Sequence, residues 1–187
     1  MQVNKRILIL GAIVLGAALT RLIPHPMNFA PLGAMALFGS AYMSKNSWGL
    51  FMTMIAWCIS DFLLNNFVYS SGGFTLFTEG AIFIYGSIGL IYLLGKFMLK
   101  EVTFHRMLAG SVGASVIFFV VSNLGVWLSP LGMYPMTMGG LVACYTAAIP
   151  FFQNTLIGDL FYAVVLFLLY EKYLKSLLVP NKLRSRD

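Results

Sequence analysis

Three carboxylates and one arginine stand out in this chain because they fall inside, or at the edge of, long apolar runs. They are Arg21, Asp61, Glu79 and Asp159. His25 and Asn28 follow Arg21 closely, and Asn123, Trp127, Tyr145 and Asn154 lie near the ends of later runs. A charge within a hydrocarbon layer costs at least ~2.5–3.5 kcal/mol unless paired or hydrated, so each such group is a functional candidate. Carboxylates, amides, an arginine and aromatics gathered at one depth suit the holding of a small molecule by a few convergent polar groups in an apolar lining. Arg21 suits a carboxylate or phosphate, because its planar guanidinium matches oxyanions two atoms at a time. Trp127, Tyr134 and Tyr145 suit a flat ring. A plainer role stands beside each of these: Arg21 pairs with Asp61 or Glu79 to pin helix ends, and Asp159 caps a neighbouring loop.

Catalysis finds less support in the same residues. Asp61 and the pair Gly158-Asp159 suggest an intramembrane aspartyl protease, but a GxGD element needs glycine at position 156, which is Leu. No GxS element on a span supports a serine protease, and no Gly-rich phosphate loop is present, so any ATP must be used by a partner. Cys58 and Cys144 lie in apolar runs and read as small buried hydrophobes, with no Cys/His spacing for a metal. The chain is therefore expected to be a binding protein without cofactor or metal, not an enzyme.

The elements that must position these groups are transmembrane helices. Of the 187 residues 59% are hydrophobic and only 10% charged, and the mean hydropathy is +0.86. Soluble domains carry about 25% charged residues. A hydrocarbon core of about 30 Å takes about 20 helical residues. Apolar runs at 6–23, 29–43, 47–64, 77–99, 107–128 and 151–172 give six spans in a single transmembrane domain, the second and third joined as a tight hairpin by Ser44-Lys45-Asn46. The first run resembles a cleavable leader, yet serves equally as the first span. A net charge of +6 does not point to nucleic acid, because the basic residues sit at span ends, where they orient helices and meet anionic lipid. With both termini inside, eleven Lys and Arg face the cytoplasm and only Arg21 faces out, as the positive-inside rule requires.

In this topology the candidate residues all fall in the outward half. The outer loops, 65–76 and 129–150, are uncharged and rather apolar. Residues 139–149 are expected to form a short helix on the outer face, with Pro150 opening the last span, since proline is tolerated in a first helical turn. Asp159 then lies about 12 Å below the start of that span. It points about 140° away from Asn154, so the two do not share a face. Small residues, Ala12 and Gly16 among them, line span one at a spacing that lets another helix approach.

The stretches "RLIPHPMNFAPLGAMALFG" (21–39), "SDFLL" (60–64) and "CYTAAIPFFQNTLIGD" (144–159) carry a resemblance. Over roughly residues 17–170 the chain resembles a bacterial six-span membrane family, of unassigned substrate, grouped with the substrate-binding S components of energy-coupling-factor vitamin transporters. The resemblance implies a compact all-α bundle in the bacterial cytoplasmic (inner) membrane. It implies a pocket near the outer leaflet for a vitamin-like micronutrient, and partners in the form of a transmembrane coupling protein and two ATPases. It also implies that a small-residue face of span one meets the coupling protein. Ala12 and Gly16 are the nearest match here, with glycine replacing one alanine. The 21–31 stretch would then form the lip of the pocket. A solitary small-molecule transporter and a non-transporting subunit of an envelope complex are the rival expectations. A scaffold should show its polar residues paired with each other and no enclosed cavity.

Overall fold

The computed structural model describes residues 5–43, 47–69 and 73–175. These are helical and irregular, with no strand among the described residues. The helices are α1 (Lys5–Leu19), α2 (Leu32–Tyr42), α3 (Trp48–Leu63), α4 (Ala81–Met98), α5 (Phe104–Trp127) and α6 (Met138–Leu168). A 3-10 turn at Thr20–Leu22 extends α1, and wider π turns at Leu64–Val68 and Leu169–Leu174 extend α3 and α6. Neighbours in sequence run antiparallel. Gly39 of α2 meets Gly49 of α3, while Leu94 and Phe83 of α4 pack at Gly113 and Gly125 of α5.

Among the described residues four helices are long and apolar enough to cross a membrane: Trp48–Val68, Ala81–Met98, Phe104–Trp127 and Met138–Leu174. Their outward faces are apolar. Phe51, Ile55 and Ile59 are exposed at four-residue intervals on α3, as are Val112, Val116 and Val120 on α5 and Ile157, Phe161 and Val165 on α6. Lipid tails solvate such stripes as well as protein does, so nothing drives them inward. Several serines on the helices are satisfied locally. Ser40, Ser87 and Ser111 donate to the carbonyls of Leu37, Ile84 and Met107, as a water-free surround demands.

The second apolar run behaves differently from the expected span at 29–43. Its helix, α2, has 11 residues, which rise only about 16 Å, roughly half the thickness of a ~30 Å hydrocarbon core. Residues 29–31 are not helical. Pro31 disfavours helical geometry at Ala30, so the helix cannot begin earlier. Nine of its residues, Leu32 to Ser40, are buried, and all five other helices pack against it. It is the axis of the bundle rather than a lipid-facing span.

The last helix also departs from expectation. Residues 139–149 are not a separate outer helix. They form the first turns of α6, which runs through Pro150 without a break. Thr137 caps it, its Oγ1 accepting from the Gly140 N–H at 3.2 Å. A proline removes one rung of the ladder, and the turns before it are held by α5: Tyr145 donates to the Val120 carbonyl at 2.6 Å and its ring meets Phe119. Asp159 consequently lies about 31 Å along its helix, not about 12 Å. Lys45, Lys182, Arg184 and Arg186, which enter the charge count, lie outside the described residues.

Candidate functional site

The site is built around the N-terminus of α2. A helix leaves its first N–H groups without partners, and Pro31, the residue before α2, offers no side-chain cap. Asp159 of α6 supplies one. Its Oδ1 accepts from the N–H groups of Gly33 at 2.9 Å and Ala34 at 3.2 Å, and its Oδ2 accepts from Ser115 of α5 at 2.8 Å. Only 1% of Asp159 is exposed. Gly33 makes the approach possible: a Cβ there would sit 2.5 Å from the carboxylate. One buried side chain thus ties α2, α5 and α6 together at a single level, where a carboxylate also meets the positive end of the helix dipole.

The segment leading into α2 is non-helical from residue 23 to 31. Phe29 donates its N–H to the Pro26 carbonyl at 3.0 Å, closing a turn. Asn28 has φ 64°, a left-handed geometry that asparagine tolerates. Asn154 donates to the Met27 carbonyl at 2.9 Å. The backbone at Phe29 and Ala30 lies directly on Gly158, where a Cβ would come within 3.0 Å of the Ala30 nitrogen. The Phe29 ring stacks between Phe161 and Tyr162.

Arg21 ends the 3-10-extended α1 and reaches α3. Its Nη1 donates to Asp61 Oδ1 at 2.7 Å and to Ser60 Oγ at 2.5 Å, and the guanidinium lies 3.7 Å from the centre of the Trp57 ring. Both charged side chains are largely buried, 14% and 8% exposed.

Between these fixtures two chambers open. One, of about 320 Å³, is lined by Arg21, His25, Asn28, Trp57, Tyr69 and Asp159 among others. The second, of about 360 Å³, lies between α4, α5 and α6 and is lined by Glu79, Asn123 and the rings of Phe118, Phe119, Phe151 and Phe152. Asn28, Ile84, Phe118 and Thr155 line both, so the two adjoin. Volumes of this size are those of small-molecule sites. Glu79 is exposed at the edge of the second chamber, where its Oε1 accepts from Ser129 Oγ at 3.2 Å.

Of the ten residues named from sequence, Arg21, His25, Asn28, Glu79, Asn123 and Asp159 line the chambers. The other four line neither. Asp61 stands behind Arg21 as its counter-ion. Asn154 faces the Met27 carbonyl. Trp127 donates its indole N–H to the Pro135 carbonyl at 3.0 Å, and Tyr145 is turned to Val120. Trp127 and Tyr145, named from sequence as flat-ring partners, are thus loop and helix clamps, and Tyr134 lines neither chamber. The rings that do line the space, Phe118, Phe119, Phe151, Phe152 and Trp57, were not singled out, although the Phe-Phe doublets were visible. Nor were Thr155, Tyr69 and Ser115. Ala12 and Gly16 are exposed on α1, and nothing lies within 4 Å of a Cβ built at Gly16. Among the described residues no three His, Cys, Asp or Glu side chains gather as a metal-ligand set.

The sequence matches, over residues 1–180, a family described as a family of unknown function, DUF6580. Neither the curated proteins nor the solved structures hold a match to the chain.

Proposed function

We propose that this chain, which belongs to the family of unknown function DUF6580, is a membrane-embedded substrate-binding subunit for uptake of a small, vitamin-like solute. Irregular backbone at membrane depth is tolerated only where it is buried in protein or lines a hydrated cavity. The 23–31 segment does both: Phe29 packs on α6, while His25, Met27 and Asn28 line the chamber above α2. That re-entrant lip over adjoining chambers is the observation that carries the reading.

The charge pattern supports an orientation. Eleven basic residues on the side of both termini, against Arg21 alone on the other, favour chambers that open to the outer face of a bacterial cytoplasmic membrane, with the 23–31 segment and the short α2 together making the second of six crossings. Uptake then needs energy from elsewhere, since the sequence holds no P-loop. A separate transmembrane coupling protein and ATPases would supply it, as in the transporters the chain resembles, with the small-residue face at Ala12 and Gly16 as the docking side. Catalysis is not part of the reading, because Asp61 and Asp159 are each engaged by other groups, a guanidinium and a helix end.

One observation favours a scaffold instead. Arg21, Asp61, Asp159 and Asn154 all satisfy each other or the backbone, as pinning groups would. The chambers weigh on the binding side, because a scaffold gains nothing from unfilled space next to its ion pairs. Native mass spectrometry on protein purified in mild detergent tests the reading. A stoichiometric small molecule, lost when Phe118→Trp fills the boundary between the chambers, is the expected result. An empty protein that remains empty after incubation with cell extract would favour the scaffold.

A further inference from the structure

Resting on that binding reading, we infer that the chambers select a flat ligand that carries positive charge, not the carboxylate or phosphate that Arg21 first suggests. The two features able to attract an anion are already filled from within. Arg21 gives Nη1 to Asp61 and Ser60 and lays its face on Trp57. The N-terminus of α2 gives its Gly33 and Ala34 N–H groups to Asp159. An incoming anion would therefore meet an internal carboxylate at each.

Glu79 tips the balance further. It lines the larger chamber and accepts only from Ser129, and among the described residues no cation pairs with it. The cavity end thus holds one arginine against three carboxylates, Asp61, Glu79 and Asp159. Its formal charge is −2, in a protein whose total is +6. The rings of Phe118, Phe119, Phe151 and Phe152 line the same chamber as Glu79, and aromatic faces attract cations through their quadrupole. Coulomb attraction and the ring faces act in the same direction.

Three water-soluble probes of nearly equal shape separate the charge assignment from the binding reading. They are nicotinate (anion), nicotinamide (neutral) and the ring-N-methylated nicotinamide cation, titrated by saturation-transfer NMR against the full-length protein in a zwitterionic detergent. The expected order is cation tightest and anion weakest. Glu79→Gln should lower the cation-to-neutral preference about 5-fold, while nicotinamide binding to the same variant reports an intact fold. Tighter binding of nicotinate than of the cation, or an unchanged preference in Glu79→Gln, overturns the cation assignment and leaves the binding reading standing. Failure of all three probes to bind at millimolar concentration, with the protein folded, sinks the open-cavity reading itself.

Discussion

The two ends of α2 differ in how they meet the rest of the bundle. At the C-terminal end contact is direct and dry. Gly39 and Gly49 let α2 and α3 touch backbone to backbone, since a Cβ on Gly49 would collide with the Gly39 carbonyl. Around them Phe38, Tyr42, Phe167 and Tyr170 form a ring cluster with centroids 4.1 to 5.9 Å apart, and Tyr42 donates to Glu171 at 2.8 Å. At the N-terminal end the neighbours hold α2 through long polar reaches, Asp159 above all, and space is left between them. One end anchors a short helix that cannot span a membrane; the other holds open a cavity whose walls are fixed in place. A rigid anchor on one side is what allows a preorganised vacancy on the other.

The cap is where this contrast is most easily broken. Asp159→Ala leaves two buried N–H groups without their acceptor, each worth about 1–3 kcal/mol, while the Ser115 hydroxyl keeps the Ser111 carbonyl. The expected loss is ~4 kcal/mol, read as a fall in Tm by differential scanning fluorimetry in detergent. Asp159→Asn keeps one acceptor oxygen and should lose clearly less. Equal losses for both would mean that the carboxylate's charge or its second oxygen, not a single acceptor at the helix end, carries the effect.

Arg21→Ala comes next. It strands Asp61, 8% exposed, and breaking a buried pair costs about 3–5 kcal/mol, here nearer ~3 because the cavity gives water access. Arg21→Ala with Asp61→Ala should recover part of that loss, while Asp61→Ala alone should resemble Arg21→Ala. If the double variant is as unstable as the sum of the singles, the two residues do not act as a pair.

At the dry end, Gly49→Ala overpacks the α2–α3 crossing and should cost about 1–3 kcal/mol. Its ligand affinity per folded molecule should match the wild type, because no chamber reaches this crossing. A matching loss of affinity would show that the anchor and the cavity are not separable.

Legibility from the sequence divides along the same line. The apolar runs marked every helix, because lipid solvates an apolar stripe and the pattern needs no tertiary knowledge. What they could not show is that α2 is half-length and enclosed, since a helix buried in protein and one facing lipid are equally apolar. Pro150 misled for a related reason: proline is cheap in a first turn, so it reads as a start, yet packing on α5 carries α6 straight through it. At the site, the Arg21–Asp61 pair and a capping Asp159 were open alternatives to ligand contact, and charge economy in lipid made them credible. The Phe doublets are plain in the sequence, but their place at a cavity is not. Sixteen phenylalanines say nothing of which face a cavity, whereas Trp127 and Tyr145 draw notice through polar tips that here bind backbone.

The smallest effect on stability should come from a surface that belongs to neither end of α2. Ala12 and Gly16 are exposed on α1, and nothing lies within 4 Å of a Cβ built at Gly16. Substitutions at exposed positions of that kind stay within about ±0.5 kcal/mol. A tryptophan ring there would face lipid or a partner. If α1 docks a coupling protein through this small-residue face, bulk there blocks close helix approach. Ala12→Trp and Gly16→Trp should then leave Tm and ligand binding unchanged while abolishing uptake in cells that hold the complete transporter. That combination separates docking from both anchoring and binding. Normal uptake by both variants would remove α1 as the docking surface and leave a solitary transporter as the better account of the same cavity.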